Sequence, residues 1–286
     1  MANLKEIRNR IVSVSSTMQI TSAMKMVSAA KLKKAQDAIT AMRPYANKLS
    51  ELLQNFSGSI DGETGSKYTD KRDVKNVLIV AITSNRGLCG AFNTNIIKHC
   101  LSMQKDHYMG QEVDFISIGK KAHDLIGKRH NVISDHSEIY DELNFNNAAE
   151  IAEELMQLYT KGTYDKIEIV YNKFKNAATQ IVTTEQFLPI VPMEQDSSTS
   201  ADYIFEPAKA AIVEQLIPKS LKTQLFKAIR DSFASEHGAI MTAMHKATDN
   251  ATELRDQLKL TYNQARQAAI TNEILEIVGG AEALNN

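Results

Sequence analysis

Two long stretches without proline or glycine stand at the two ends of this sequence. The first runs from the start of the chain to Pro44, and the second covers forty residues, from Ala239 to Val278. Since a helix in a globular protein has about 11 or 12 residues on average, these stretches predict helices of unusual length. At about 1.5 Å per residue, the second helix alone would be roughly 60 Å long.

Both predicted helices carry a stripe of mostly apolar residues spaced alternately by three and four. The N-terminal stripe contains Leu4, Ile7, Ile11, Val14, Met18, Thr21, Lys25, Ser28, Leu32, Ala35, Ile39, Met42, Ala46, Leu49, Leu53 and Phe56. The C-terminal stripe contains Ile240, Met244, Ala247, Ala251, Leu254, Leu258, Thr261, Ala265, Ala268, Asn272 and Leu275. A small domain cannot bury stripes of this length, so we expect the two helices to pair as an antiparallel coiled coil.

The seam of this coiled coil is built from small residues. Where Ala or Thr replaces Leu, the pair forgoes about three methylenes, or roughly 2 kcal/mol at each position. We interpret the seam as one that favours a thin rod over a stable one, as a shaft in a narrow opening would require.

The middle of the chain alternates between apolar strands and amphipathic helices. The strands are "NVLIVAIT", "VDFISIG" and "KIEIVYN", with helices between them, and "QIVTTEQFLPIV" predicts an edge strand ended by Pro189 and Pro192. This order predicts an α/β fold with a central Rossmann-like domain and a mainly parallel sheet. Polar linkers set the boundaries: an N-terminal coiled-coil helix over 1–57, the α/β domain over 74–193 and a C-terminal coiled-coil helix over 207–286.

Composition excludes several classes of protein. The net charge is −1, although residues 1–48 carry a local excess of seven positive charges. The two cysteines, Cys89 and Cys100, lack the spacing of a disulfide framework or of a zinc site. No apolar signal core or spanning segment is found, and we expect a protein that stays in the compartment where it is made.

The turn "ITSNRGLCGAFN" is the most chemically suggestive segment. A Walker loop needs a Lys after its second glycine, and a dinucleotide fingerprint needs three glycines, but only Gly87 and Gly90 are present. Cys89 nearly copies a nucleophile elbow, yet spacing singles out no histidine as its base. We therefore favour a tight turn with a buried thiol, and expect no catalytic residue and no cofactor.

Other candidate sites are equally weak. His130, Asp135 and His136 cluster in "KRHNVISDHSE", and His237 and His245 lie eight residues apart, but no metal-binding motif appears. The basic first helix lacks the interleaved aromatic residues of a nucleic-acid binder. Two alternatives stay open at this point: an α/β enzyme or nucleotide-binding protein with Cys89 as nucleophile, and a coiled-coil scaffold with a basic nucleic-acid-binding arm.

Several segments in order resemble the gamma subunits of F-type (H+-transporting) ATP synthases over nearly the whole chain. They are "TMQITSAMKMVSAAKLKKAQ", "TSNRGLCGAFN", "SEHGAIMTAMHKATDNA" and "YNQARQAAITNEILEIVGGAEAL". The resemblance implies a non-catalytic central-stalk rotor, whose coiled coil turns inside three alpha and three beta subunits. It also implies contacts of the α/β domain with the epsilon subunit and the c ring.

The resemblance also assigns residues to partners. Met24 and Lys25 match the contact with the lever loops of the beta subunits, and Arg266 and Gln267 match a pair that hydrogen-bonds a beta catch loop. Tyr203 and Glu206 match the contact with the c ring and epsilon. No nucleic acid is implied, and membrane association would occur only through the complex.

Two positions depart from the family pattern. Asn85 stands where Asp is common, and Ile240 stands where Arg is usual, so a family salt bridge with beta is expected to be absent. The sequence has neither an organellar targeting segment nor the cysteine insertion of chloroplast versions. We therefore expect a bacterial protein on the cytoplasmic side of the inner membrane.

Overall fold

A computed structural model of the chain describes residues 4–57, 66–69, 72–190 and 209–284. Helix α1 spans Leu4–Ser57, and the short α2 spans Ser66–Thr69. The elements of the middle region follow in the order β1 (Asn76–Ile82), α3 (Phe92–Asp106), β2 (Glu112–Ile118), α4 (Lys120–Ile126), β3 (Val132–Asp135), a 3-10 helix (Ser137–Tyr140), α5 (Phe145–Thr160), β4 (Lys166–Phe174) and β5 (Gln180–Leu188). Helix α6 spans Lys209–Leu284.

The five strands form one sheet in the order β3-β2-β1-β4-β5. The first four strands of this order are parallel, and β5 is an antiparallel edge strand. In the centre, Val80 of β1 lies between Ile116 of β2 and Ile169 of β4. The mainly parallel sheet and the antiparallel edge strand confirm the predicted fold class. The prediction lacked β3, which has only four residues in alternating half-buried and exposed positions.

Helices cover both faces of the sheet, and β1 shows how the two cores are separated. Leu78, Val80 and Ile82 point into a core that includes α5 and the first half of α6. The alternating residues Val77, Ile79 and Ala81 point into a second core with α3 and α4. Successive side chains of a strand point to opposite faces, so a strand covered on both sides is apolar throughout.

Helix α6 extends beyond the stretch of Ala239 to Val278 that lacks proline and glycine, because Gly238 does not interrupt it. A Cβ atom on Gly238 would lie 3.1 Å from the carbonyl oxygen of Ala177, in the turn between β4 and β5. Glycine is therefore explained by the close packing of the helix against this turn. Gly279 and Gly280, which the sequence indicates as a second boundary, also lie inside α6.

The chain divides into two compact units. One unit contains residues 29–240, with the α/β sheet, and the other contains residues 1–28 and 241–286. In the sheet-bearing unit, α1 buries a regularly spaced row, which consists of Leu32, Ala35, Ile39, Ala46 and Leu49. These residues belong to the predicted N-terminal stripe.

The second unit pairs the start of α1 with the later part of α6. The hydroxyl of Thr248 donates to that of Thr21 at 2.8 Å, and the Arg255 guanidinium lies 3.4 Å from the sulfur of Met18. Residue numbers fall along one helix as they rise along the other, so the pair is antiparallel, as predicted. Ile7, Thr21 and Ser28, which belong to the predicted N-terminal stripe, are buried in this part of α1.

Candidate functional site

The turn after β1 is closed by its own polar groups. The amide of Asn93, in the first turn of α3, accepts from the backbone N–H of Ser84 at 3.0 Å and donates to the Ser84 hydroxyl at 2.8 Å. Leu88 and Gly90 have φ angles of 66° and 60°, which reverse the chain tightly. Because Asn93 engages both the N–H and the hydroxyl of Ser84, these two groups are not free to hold a phosphate group.

Cys89 lies inside this turn with only 3% of its surface exposed. Its sulfur receives a hydrogen bond from the Asn93 amide at 3.1 Å. Burial is the largest influence on the thiol and raises its pKa, whereas a nucleophilic cysteine needs a lowered one. The environment is that of a structural thiol, and it does not support the enzyme alternative.

The crevice where α/β sheets of this type bind ligands is filled by α6. In such sheets ligands bind beyond the carboxyl ends of the strands, at the point where the strand order reverses. Here that point lies between β1 and β4, and the Ser235 hydroxyl of α6 donates to the carbonyl of Asn172 at 2.9 Å. The Asn172 amide in turn donates to the carbonyl of Phe92 at 3.2 Å. The chain's own helix therefore stands where a nucleotide would be expected.

Two buried ionisable side chains accompany this contact. Burial raises the pKa of Glu236 to about 7, although the cations of Lys31 and Arg86 act in the opposite direction. Burial lowers the pKa of its neighbour His237 to about 4, and Lys31 lowers it further. The His237 ring packs edge-on against Phe233, with 4.5 Å between ring centroids. Near neutral pH, the imidazole of His237 is therefore uncharged, and the carboxyl group of Glu236 is close to the midpoint of its own titration.

The histidines considered as metal ligands or catalytic bases are separated by the fold. His136 Nε2 lies 2.8 Å from the Ser134 hydroxyl and 3.0 Å from a carboxylate oxygen of Glu154. A catalytic triad requires these two contacts on different ring nitrogens, so this cluster is no triad. His237 is buried, whereas His245 is exposed and faces Asp249. Within the described part of the chain, no group of three or more side chains is arranged to hold a metal ion.

The residues that the resemblance assigns to the beta subunits lie in the unit of residues 1–28 and 241–286. Met24 and Lys25 are half-buried on α1, and Arg266 and Gln267 are exposed on α6. Tyr203 and Glu206, assigned to the c ring and epsilon, lie outside the described residues. Asn85 donates to the carbonyl of Ser137 at 2.9 Å and accepts from the Lys120 N–H at 3.0 Å. An Asp at position 85 could not make the first of these bonds.

An apolar surface near the end of α6 was not singled out from the sequence. In an antiparallel pair, the numbers of two facing residues add up to a nearly constant total, which is 269 for Thr21 with Thr248 and 273 for Met18 with Arg255. The same totals place Leu4 opposite residues 265–269. The described part of α1 begins at Leu4 and supplies no partner beyond that point. Large apolar side chains of α6 are exposed there, namely Ile270, Ile274, Leu275, Ile277 and Val278. This overhang depends on the register of the two helices, which the sequence pattern alone does not give. Exposed apolar patches of this kind mark interaction surfaces.

None of the described helices combines the length and the apolar character that a membrane crossing requires.

Comparison with known proteins gives a consistent picture. A family model described as ATP synthase matches residues 3–284. The chain is 71% identical to the ATP synthase gamma chain of Flavobacterium johnsoniae over 286 residues, which cover all of both chains. It is 70% identical to the gamma chain of Flavobacterium psychrophilum over 285 residues, which cover 99% of each chain.

Solved structures agree on the fold. A chain of the Euglena gracilis mitochondrial ATP synthase matches with a TM-score of 0.69 at 24% identity, covering 98% of this chain and 94% of that one. A chain from the central stalk and c-ring structure of the Tetrahymena thermophila mitochondrial ATP synthase matches with a TM-score of 0.60 at 25% identity, covering 80% of this chain and 99% of that one.

These relatives support neither an enzyme that uses Cys89 nor a nucleic-acid-binding scaffold. A family match over residues 3–284 and 71% identity to a gamma chain across the full length show that this chain belongs to the ATP synthase gamma-chain family.

Proposed function

We propose that this chain is the central rotor shaft of an F-type ATP synthase, coupling proton-driven rotation of a c ring to ATP synthesis by alpha and beta subunits. The observation that carries the proposal is the antiparallel pairing of α1 with α6 through a seam that includes Thr21, Thr248 and Ala251. The chain is a stalk subunit by family, and the catalytic sites of an ATP synthase lie on other subunits.

The mechanism follows from the inequality of the two helices. A shaft inside a ring of three alpha and three beta subunits presents different side chains to each beta subunit at any moment. A face that packs well against a closed beta subunit stabilises that conformation and its bound nucleotide, and another face favours opening. Rotation moves these preferences from one beta subunit to the next, so turning and catalysis are coupled in both directions.

Exposed apolar side chains support contacts with the ring of alpha and beta subunits. Met26 and Val27 are 65% and 57% exposed, immediately after the proposed contact pair Met24 and Lys25. The last turns of α6 add an apolar surface of their own, within residues 270–278. Exposure of such apolar side chains to water is unfavourable, and the free energy falls when a partner covers them. Epsilon and the c ring are the proposed partners of the segment that contains Tyr203 and Glu206.

The place of the protein in the cell follows from this assembly. We infer that the chain reaches the membrane only through the complex, on the cytoplasmic side of a bacterial inner membrane. The high identity to Flavobacterium gamma chains supports a bacterial source.

Arg266→Ala tests the proposed contact with beta. Arg266 is exposed, so the isolated chain should lose less than about 0.5 kcal/mol of stability. A hydrogen bond from a charged donor to a partner contributes about 1.5 kcal/mol or more, so binding of the chain to the alpha and beta subunits should weaken about tenfold. The measurement is titration of a labelled chain with purified alpha-beta hexamer.

Lys246→Ala is the matched control, because it removes an exposed cation on roughly the opposite face of α6. Binding should be unchanged in this variant. Equal affinities of the Arg266 and Lys246 variants, or a loss of helicity in the Arg266 variant alone, would contradict the contact role. Crosslinking from position 266 to tagged beta subunit gives an independent readout.

A further inference from the structure

Arg43 of α1 lies at a junction of three elements in the unit of residues 29–240. Its Nη2 atom is 3.5 Å from a carboxylate oxygen of Asp231 on α6 and 3.4 Å from the carbonyl oxygen of Phe174, at the end of β4. One guanidinium nitrogen therefore faces the helix and the sheet at the same time. The guanidinium is partly exposed, whereas the side chain of Asp231 is 1% exposed.

The carboxylate of Asp231 is unusual because it is buried with little hydrogen bonding. Its contact with Nη2 of Arg43, at 3.5 Å, lies at the outer limit of a hydrogen bond, and within the described residues no other donor reaches either oxygen. Burial raises the pKa of Asp231, and the cations of Arg43, Lys227 and Lys173 oppose that shift. A buried carboxylate in this setting is an unfavourable way to stabilise a fold.

A second set of polar contacts continues from the same face of α6 to the edge of the sheet. Lys227, one turn before Asp231, lies 3.9 Å from Glu185 of β5. The same carboxylate oxygen of Glu185 accepts the hydroxyl of Tyr171 on β4 at 2.6 Å. Charged contacts thus connect α1, α6, β4 and β5, and Arg43 is the member of this set that belongs to α1.

The remainder of the contact made by this part of α1 is apolar, through the buried row of Leu32, Ala35, Ile39, Ala46 and Leu49. Burial of these side chains holds α1 in the sheet-bearing unit, but apolar contact is non-directional and does not by itself select one rotational register. Contacts of a guanidinium with a carboxylate and a carbonyl depend on direction. A directional contact is what a shaft under torque needs.

We propose that Arg43 is a positioning residue that holds α1 in rotational register with the α/β sheet, through Asp231 and the carbonyl of Phe174, so that torque on the sheet-bearing unit turns both helices together. This inference rests on the proposed rotor function. It assigns to Arg43 a role in coupling that differs from contact with any partner subunit.

The test uses the complete ATP synthase assembled with this chain, in membrane vesicles. The main variant is the double substitution Arg43→Met with Asp231→Leu, because it removes the buried carboxylate together with its partly exposed cation and leaves no unpaired buried charge. The readout is the number of protons pumped per ATP hydrolysed, in complexes matched for gamma content. We expect this ratio to fall at least twofold, with hydrolysis per complex unchanged.

Arg43→Lys keeps the charge but loses the planar guanidinium. The number of protons pumped per ATP hydrolysed should therefore lie between the values of the wild type and the double variant. Arg43→Ala leaves Asp231 buried without its nearest cation and should also lower the yield of assembled complex. A merely structural role would lower yield or thermal stability and leave the ratio unchanged. An unchanged ratio in the double variant would overturn the proposal.

The wild-type complex separates this inference from the proposed function. Coupled proton pumping by wild-type complexes with no change in the double variant would refute only the role of Arg43. Absence of coupled pumping in wild-type complexes that contain this chain would refute the rotor function, and the role of Arg43 with it.

Discussion

Gly119→Ala is expected to destabilise the unit of residues 29–240 by about 4 kcal/mol or more. Gly119 joins β2 to α4 with a φ angle of 116°, which side chains of L-residues rarely allow. An added Cβ would lie 2.2 Å from the carbonyl oxygen of Thr83 and 2.7 Å from its carbon. Both obstacles are backbone atoms at the end of β1, so no side-chain rotation can relieve the clash.

The backbone of Thr83 cannot move away without loss of hydrogen bonds. Its N–H donates to the carbonyl of Ile118 at 2.8 Å, and its hydroxyl donates to the carbonyl of Gly119 at 3.2 Å. The hydroxyl also accepts from the N–H of Ala122 at 2.9 Å, in the first turn of α4. The clash therefore disrupts the carboxyl end of the sheet and the start of a helix together.

Two other glycines serve as matched controls in urea unfolding. Gly110 has a φ angle of 86°, but an added Cβ would meet no atom within 4 Å, so Gly110→Ala isolates the backbone strain, about 1–2 kcal/mol. Gly87 has neither a positive φ angle nor a nearby atom, and Gly87→Ala should be close to neutral. A Gly119 variant no less stable than the Gly110 variant would show that β1 and β2 do not approach each other as described.

Glu236 and His237 should give opposite dependences of stability on pH, each of about 3 kcal/mol. The pKa of Glu236 is raised in the folded chain from 4.5 to about 7. Its contribution to the stability of the fold is therefore present below pH 4.5 and is lost as pH rises through 7. The pKa of His237 is lowered from 6.5 to about 4, so its contribution is present above pH 6.5 and is lost as pH falls through 4. Between pH 4.5 and 6.5, folding adds one proton to Glu236 and removes one from His237, so the two slopes cancel.

Single substitutions expose each slope. In the Glu236→Gln variant, His237 is the one member of this pair that still titrates. The free energy of unfolding should then decrease as pH falls from 6.5 towards 4. With His237→Phe, only Glu236 remains, and the free energy of unfolding should decrease as pH rises from 4.5 to 7. The groups that face Glu236 are Lys31 on α1, Arg86 and Cys89 in the turn after β1, and Tyr140 in the 3-10 helix.

The double variant Glu236→Gln with His237→Phe provides the reference, because it retains all other titrating groups. Stability differences from this reference, measured by urea unfolding between pH 4 and 8, isolate the two groups. Parallel rather than mirrored pH profiles for the single variants would show that these side chains are not buried in the folded chain.

The regular parts of this fold could be predicted because they depend on local pattern. Every member of the N-terminal stripe from Leu4 to Leu49 is buried or half-buried, since a spacing of alternating threes and fours keeps these side chains on one face of a helix. The buried strand at Val77–Ile82 was equally clear, because it is apolar on both faces. Only the weak strand β3 escaped prediction among the five.

The unpredicted features depend on contacts between distant residues. Gly238 resembles a helix boundary in the sequence, and only the approach of Ala177 explains it as a packing residue within α6. Asp231, Glu236 and His237 carry polar side chains that sequence patterns place at the surface, yet the sheet, the turn after β1 and α1 enclose them. The proposed contacts of Met24, Lys25, Arg266 and Gln267 require other chains and come from the family resemblance alone.

Rotation of this chain inside an immobilised alpha-beta hexamer is the most direct test of the account. Met109→Cys provides an attachment point for a bead, since Met109 is 89% exposed and both native cysteines are buried. With ATP present, the bead is predicted to turn in one direction with three pauses in each revolution, one for each beta subunit. A bead that stays fixed while the complex hydrolyses ATP, or hydrolysis by the isolated chain, would contradict the central claim.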